Sequence, residues 1–256
     1  MATKVLILGA GGFIGRHLVE VLCRQQHLNI EILKQKVILE DYESTVNQVL
    51  AQKPDLVLQL AWSASSTPNY RDDATNEIWE RFTVDLANAC KNSGIGFLGV
   101  GSEVEIMPNM TDPYSLSKQR TFGILRNSIL RHEITWARLG YVFDVTSESP
   151  ALIKEICSAK RDKREPLIRN FNVSHDFVHV KDVAQALSLI VMHQEHGLFE
   201  VGSGKTHSVK DVAERLGCSF ADSKYEKTGS NHSSLDIIRL TQFGYIPTNT
   251  NEFFHE

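Results

Sequence analysis

The feature that most restricts what this chain can fold into is a short apolar run, Val5-Leu6-Ile7-Leu8, that breaks into the glycine loop Gly9-Ala10-Gly11-Gly12-Phe13-Ile14-Gly15. The run has the length of a buried strand. Phe13, Ile14, Leu18, Val21 and Leu22 then recur at near-helical spacing, so the loop joins a strand to a helix. The unit repeats in varied form. Ile30 to Leu33 and Val37 to Leu39 are strand-like, Tyr42, Val46, Val49 and Leu50 mark a helix face, and Leu56 to Leu60 predicts the next buried strand. A long helix carries Ile78, Phe82, Leu86, Ala89 and Cys90 on one stripe and stops near Asn92-Ser93-Gly94, before a strand from Ile95 to Val100. A further helix holds Tyr114 and runs to about Arg131, and a strand covers roughly Ile134 to Val142.

Strands and helices that alternate through more than half the chain predict an α/β fold, a Rossmann-like, doubly wound and largely parallel sheet. Past Phe143 the rhythm loosens. A helix is expected around Ala151 to Ala159, Asp176 to Val180 leads into another with Val183, Ala184, Leu187 and Val191, and a last one spans Val209 to Leu216. We therefore expect a dinucleotide-binding domain over 1–143, completed by about 176–195, and a small C-terminal substrate lobe from 144–175 and 196–256.

The net charge of -4 provides no broad positive field for nucleic acid or anionic lipid. Neither is expected as a partner. No stretch approaches the roughly 18 apolar residues of a membrane span. Cys23, Cys90, Cys157 and Cys218 lie far apart with no CxxC pair, which predicts no metal site and the reduced thiols of a cytoplasmic protein. The basic run Lys160, Arg161, Lys163, Arg164 and Arg169 is open to two readings, a phosphate contact or a solvated loop.

A dinucleotide pyrophosphate needs backbone N–H groups at a helix N-terminus and no Cβ in its approach, which Gly9, Gly12 and Gly15 supply. The spacing is GxxGxxG and not the stricter GxGxxG. No acid follows the second strand to take the adenosine ribose. Leu33 is followed by Lys34, Gln35 and Lys36, and a lysine suits a 2′-phosphate, so NADP is favoured over NAD unless these lysines are only an exposed strand end. Asp41 is placed either to meet the adenine edge or to cap the following helix.

Tyr114 and Lys118 in PYSLSK stand four residues apart, which puts them on one helix face. There the ammonium is expected to lower the phenol pKa from about 10 and to lean on the cofactor ribose. Ser102 ends the strand that starts at Ile95, and in a parallel sheet the carboxyl ends of the strands line the ligand crevice. A lone YxxxK pair is mostly packing. The glycine loop, the strand-end serine and their order along the chain reverse that reading, with Tyr114 as proton donor and Ser102 as hydrogen-bond donor to a substrate carbonyl.

With these residues in order, the chain resembles the extended short-chain dehydrogenase/reductase family, in its nucleotide-sugar epimerase, dehydratase and ketoreductase group. GAGGFIG is similar to the cofactor loop, with Phe13 and Ile14 inside it, and Leu60-Ala61-Trp62 to the strand end near the ribose and phosphates. GSEVE at Gly101 to Glu105 matches the serine segment, and HDFVHVKDVAQA from His175 and FEVGSGKTHSVKDVA from Phe199 match C-terminal signatures. The resemblance implies a nucleotide-linked sugar as substrate, hydride transfer at a sugar carbon and a homodimer. Dehydratases of the group carry Thr-Asp-Glu where this chain has Ser102-Glu103-Val104, so dehydration is not expected. Between reductase and epimerase, GSEVE tilts the reading towards reduction of a 4-keto sugar. A silent dinucleotide sensor is the rival of another class.

Glu103, Arg138, Arg169 and His175 are the candidate substrate contacts, although Arg138 could equally pair with an acid. Asp176 and Asp182 read better as structural anchors than as an acid/base pair, and His179 as a lining or packing residue. Trp62 covers part of the site or packs at the sheet edge. Phe82, Leu86 and Leu125 suit either a dimer contact or the sheet.

Overall fold

The computed structural model describes residues 2–33, 39–63, 70–146, 150–168, 171–218 and 233–255, in two compact units. The first comprises Met1–Arg138 with Ala184–Phe199, and the second Leu139–Val183 with Glu200–Glu256. The division falls a few residues earlier than the expected limit at 143, and 176–183 belong to the second unit.

In the first unit the alternation holds: β1 (Thr3–Leu8), α1 (Gly15–Leu22), β2 (Leu28–Ile32), α2 (Tyr42–Ala51), β3 (Leu56–Gln59), α3 (Thr75–Asn92), β4 (Gly96–Ser102), α4 (Pro113–Leu130) and β5 (Thr135–Leu139). A later strand, β9 (Gly197–Val201), completes a six-stranded sheet of order β2-β1-β3-β4-β5-β9. The pairs β1/β2, β1/β3 and β3/β4 are parallel. Val5 to Leu8 are wholly buried, as a strand covered on both faces must be, which is why the sequence there is a continuous apolar run.

Trp79, Phe82, Leu86, Ala87 and Cys90 of α3 and Leu125 and Ile129 of α4 pack into one core with Leu6, Leu8, Val57 and Phe97. Phe82, Leu86 and Leu125 thus face the sheet and supply no partner surface. Ser93 and Gly94, the latter at φ 69°, end α3. Asp112 caps α4 by accepting from Ser115 N at 3.1 Å, and Pro113 opens its first turn, which places Tyr114 at the helix start.

The strand expected over Ile134 to Val142 is instead interrupted at Gly140, where β5 ends and β6 (Tyr141–Phe143) joins the second unit. Gly140 lies so close to Asp176 that a Cβ would stand 2.3 Å from its carbonyl oxygen, and Tyr141 N donates to that same oxygen at 2.7 Å. Leu39 begins a 3-10 turn, Leu39–Asp41, and not the end of a strand, while Val37 and Ile38 lie outside the described residues.

The second unit holds α5 (Ala151–Arg161), β7 (Ser174–His175), β8 (Phe177–His179), the first turn of α6 (Val180–His193), β10 (His207–Ser208), α7 (Val209–Arg215), α8 (Ile238–Thr241) and α9 (Thr248–Phe254). β6 pairs β8 in parallel and β7 pairs β10 antiparallel around a core of Phe143, Ile153, Ile156, Phe171, Phe177, Val212 and Phe254. Two of its buried acids, Asp176 and Asp182, are anchors. Asp176 accepts from Ser203 N and Oγ, Gly204 N and Leu235 N at 2.6–3.0 Å, and Asp182 accepts from Asn249 and Thr250 at 2.6–3.1 Å. Every acceptor site on each carboxylate is engaged, which leaves neither acid for proton transfer.

Candidate active site

The loop after β1 needs its glycines for steric reasons visible in the backbone. Gly9 has φ 83°, and a Cβ on it would stand 2.6 Å from Ala61 N. A Cβ on Gly15 would meet the Gly9 carbonyl at 2.2 Å, so the loop closes on itself and on the end of β3 only without side chains there. α1 then starts with no acid in its first turn and no side-chain cap on its N–H groups. Those amides suit an anion, and the cradle fits a dinucleotide pyrophosphate.

Leu60 and Ala61 form the wall facing Gly9, and Phe13, Ile14 and Gly12 complete the turn, in which Gly12 N donates to Gly9 O at 3.0 Å. Asp41 caps α2 by accepting from Ser44 N at 3.4 Å, the second of the two roles expected for it. Lys34, with Gln35 and Lys36, lies outside the described residues, as does Arg169.

At the end of β4, Ser102 caps the 3-10 turn Glu103–Glu105, its Oγ accepting from Val104 N at 3.5 Å. Tyr114, Lys118 and Ser102 come together here. Ser102 acts on the Tyr114 phenol, and the Tyr114 ring is boxed edge-on by Tyr70 at 5.1 Å and by Trp62 at 6.3 Å. The Arg71 guanidinium stands 5.7 Å from the same ring, tied to Asp112 Oδ2 at 3.0 Å and Ser115 Oγ at 3.2 Å.

The electrostatics differ from the expectation for Tyr114. Burial pushes its phenol well above the ordinary tyrosine range and Tyr70 adds to this, while Ser102 and Arg71 pull the other way. Lys118 is not among the groups that chiefly set this shift, and its ammonium, 5.9 Å from the Tyr114 ring centre, is also engaged elsewhere. Its Nζ donates to Val100 O at 3.2 Å and sits 3.6 Å above the Trp62 ring. Burial lowers the Lys118 pKa to about 8 against the opposing pull of Glu105.

Trp62 therefore has both roles expected of it. It covers Lys118 and packs on Trp79, with its Nε1 on Asn76 Oδ1 at 2.8 Å.

Arg138 is a correction. Instead of reaching for a phosphate, it is 4% exposed with its Nε on Glu105 Oε2 at 3.0 Å and its guanidinium 4.5 Å from the Phe122 ring centre. Glu105 itself has a fully buried side chain that also accepts from Ser102 N at 3.0 Å and Trp136 Nε1 at 3.2 Å. Burial pushes its carboxyl up while Arg138 and then Lys118 pull it back. Glu103 is buried beside Ser102. In the second unit His175 lies on β7, with its ring 5.2 Å from that of Tyr141.

Sequence reasoning did not single out Tyr70, Arg71, Asp112, Trp136 or Glu105 as site residues. Asp112-Pro113 was open to reading as a helix start, but nothing in the linear pattern links Tyr70 or Trp136 to Tyr114 or Glu105.

A parallel sheet with a glycine cradle after β1 and a serine, tyrosine and lysine gathered at the end of β4 defines the class of extended short-chain dehydrogenases/reductases. The chain belongs to the NAD dependent epimerase/dehydratase family, which matches residues 5–202. Among characterised relatives, dTDP-6-deoxy-L-talose 4-dehydrogenase (NAD(+)) of Aggregatibacter actinomycetemcomitans is 24% identical over 246 residues, covering 83% of this chain and 89% of the relative. UDP-glucose 4-epimerase of Thermotoga maritima, solved with UDP-glucose, shares the fold at TM-score 0.69 and 20% identity over 96% of this chain and 94% of its own. GDP-mannoheptose C4 reductase of Campylobacter jejuni, solved with NADP bound, superposes at TM-score 0.72 and 13% identity over 99% and 97%. At these identities the two structures speak to the fold alone.

Proposed function

We propose that the chain is an NAD(P)-dependent oxidoreductase of nucleotide-linked sugars that reduces a 4-keto sugar, with Tyr114 as proton donor. The observation that carries this reading is the grouping of Tyr114 and Lys118, with the ammonium 5.9 Å from the phenol ring, beside Ser102 at the carboxyl end of β4, where burial raises the pKa of the phenol. Reduction of a ketone needs an acid at its oxygen, and a neutral phenol is one.

Gly9, Gly12 and Gly15, with Leu60 and Ala61, would hold the dinucleotide, which when bound in its reduced form supplies the hydride for the carbonyl carbon. Ser102 Oγ and the Tyr114 hydroxyl orient the carbonyl oxygen. Tyr114 gives that oxygen its proton, and the phenolate left behind faces Arg71, 5.7 Å from its ring, and Lys118 on the same helix face. The Trp62 ring shields this ammonium from water.

Elimination of water is disfavoured, because Ser102-Glu103-Val104 stands where dehydratases of the group carry Thr-Asp-Glu, and Glu105 is pinned by Arg138 and Trp136. The name of the 4-dehydrogenase supports position 4. NADP over NAD rests on Lys34 and Lys36, and substrate contacts by Glu103, Arg169 and His175 remain part of the proposal, while Arg138 does not. A 24% identical relative over 95% of the chain, UDP-glucose 4-epimerase of Azospirillum brasilense, supports the second reading, in which the hydride returns to the other face of the sugar.

A panel of nucleotide 4-keto sugars with NADPH and NADH, followed by the nicotinamide absorbance, tests both. Reduction consumes the cofactor mole for mole, whereas epimerisation leaves it unchanged. Tyr114→Phe is expected to lose about a hundredfold or more in kcat with cofactor affinity kept. Equal turnover by wild type and variant would end the reading.

A further inference from the structure

Glu105 is an acid with no solvent, placed one turn from Ser102, and the chemistry described above gives it no step. Three groups donate to it, and a fourth acts on it from beyond hydrogen-bond reach. Ser102 N and Trp136 Nε1 donate to Oε1 at 3.0 and 3.2 Å, Arg138 Nε donates to Oε2 at 3.0 Å, and Lys118 is its further electrostatic partner. Gly101 leaves the space for it: a Cβ there would lie 2.0 Å from Glu105 Oε1. A carboxylate that receives only N–H groups is suited to stay ionised.

We propose that Glu105 is a positioning residue of the active site, its carboxylate locking the Ser102 end of β4 in place and serving as the counter-charge to the Lys118 ammonium. The inference rests on the reading of Ser102, Tyr114 and Lys118 as the reacting set. Lys118 reaches β4 at Val100 O, next to the Gly101 slot that Glu105 fills, so one strand end ties the serine, the lysine and the acid together. The groups that face Lys118 are Glu105 from the 3-10 turn, Trp62 from the segment after β3 and Tyr114 from its own helix. Arg138 of β5 acts on it through Glu105. Without the carboxylate, the buried Lys118 ammonium gives up its proton more readily.

The test is Glu105→Gln, which keeps the shape and an acceptor for Ser102 N but no charge. Since Lys118 must carry its proton, activity is lost as pH rises through its titration. The alkaline limb of kcat is expected to move to lower pH by on the order of one unit. A loss equal at every pH, with the limb unmoved, overturns the proposal. If loss of the ion pair with Arg138 prevents folding, Glu105→Gln with Arg138→Met removes both charges, and the limb must move the same way.

A second readout needs no substrate. In protein labelled with carbon-13 lysine, the Lys118 Cε resonance, assigned by its absence in Lys118→Arg, must titrate at lower pH in Glu105→Gln. An unmoved midpoint overturns the inference even in an active enzyme. A moved midpoint in a protein that reduces no sugar upholds it and removes the functional reading instead.

Discussion

Gly101→Ala adds one methyl group at a place where the structure has no room for it. The new Cβ would stand 2.0 Å from Glu105 Oε1, 2.3 Å from Trp136 Nε1 and 2.8 Å from Glu105 Cδ. Neither neighbour is the loose end of a surface side chain: Trp136 is 0% exposed and the Glu105 side chain 0%. The carboxylate must leave its slot, and the buried ion pair with Arg138, 4% exposed, is broken. Removing one member of a buried pair costs about 3–5 kcal/mol, a large part of the roughly 5–15 kcal/mol that holds a domain folded.

The three tryptophans, Trp62, Trp79 and Trp136, all lie in the first unit, so their fluorescence in a urea titration reports on that unit alone. The midpoint is expected to fall by on the order of 1 M or more. Gly123→Ala is the matched control. It lies inside α4 with nothing within 4 Å of the added Cβ, and it should stabilise by about 0.5–1 kcal/mol. A Gly101→Ala protein that unfolds within about 1 kcal/mol of wild type would refute the packing argument and the account of Glu105 built on it.

Gly15→Ala should open the loop after β1, since its Cβ would meet the Gly9 carbonyl and the Ala10 backbone, neither of which can rotate away. Titration of NADPH followed by its fluorescence is expected to show affinity down by about tenfold or more, and unchanged affinity would remove the cradle from the cofactor site. His179 links the stability of the second unit to pH. Burial lowers its pKa and Asp144, 3.4 Å from its Nε2, opposes this, so the unfolded chain takes the proton first. Its contribution is full above the unfolded value of about 6.5 and is lost as pH falls through the lower folded value. Melting temperatures measured from pH 7 to 5 should drop less in His179→Gln than in wild type, and parallel curves would sink the assignment.

The order of strands and helices, the glycine cradle and the chemical set of Ser102, Tyr114 and Lys118 were legible in the linear chain. Each depends on short-range rules: apolar periodicity, the absence of Cβ atoms at Gly9 and Gly15, and the four-residue spacing that puts a phenol and an amine on one helix face. What the linear chain could not decide is where charge goes once water is excluded. The direction of the Tyr114 shift, the turning of Lys118 onto Trp62, and the pairing of Arg138 with Glu105 join residues up to 56 positions apart, through contacts that exist only after β4, β5 and α4 have packed. Burial and long-range pairing set the sign of an electrostatic effect, and neither is written in local sequence.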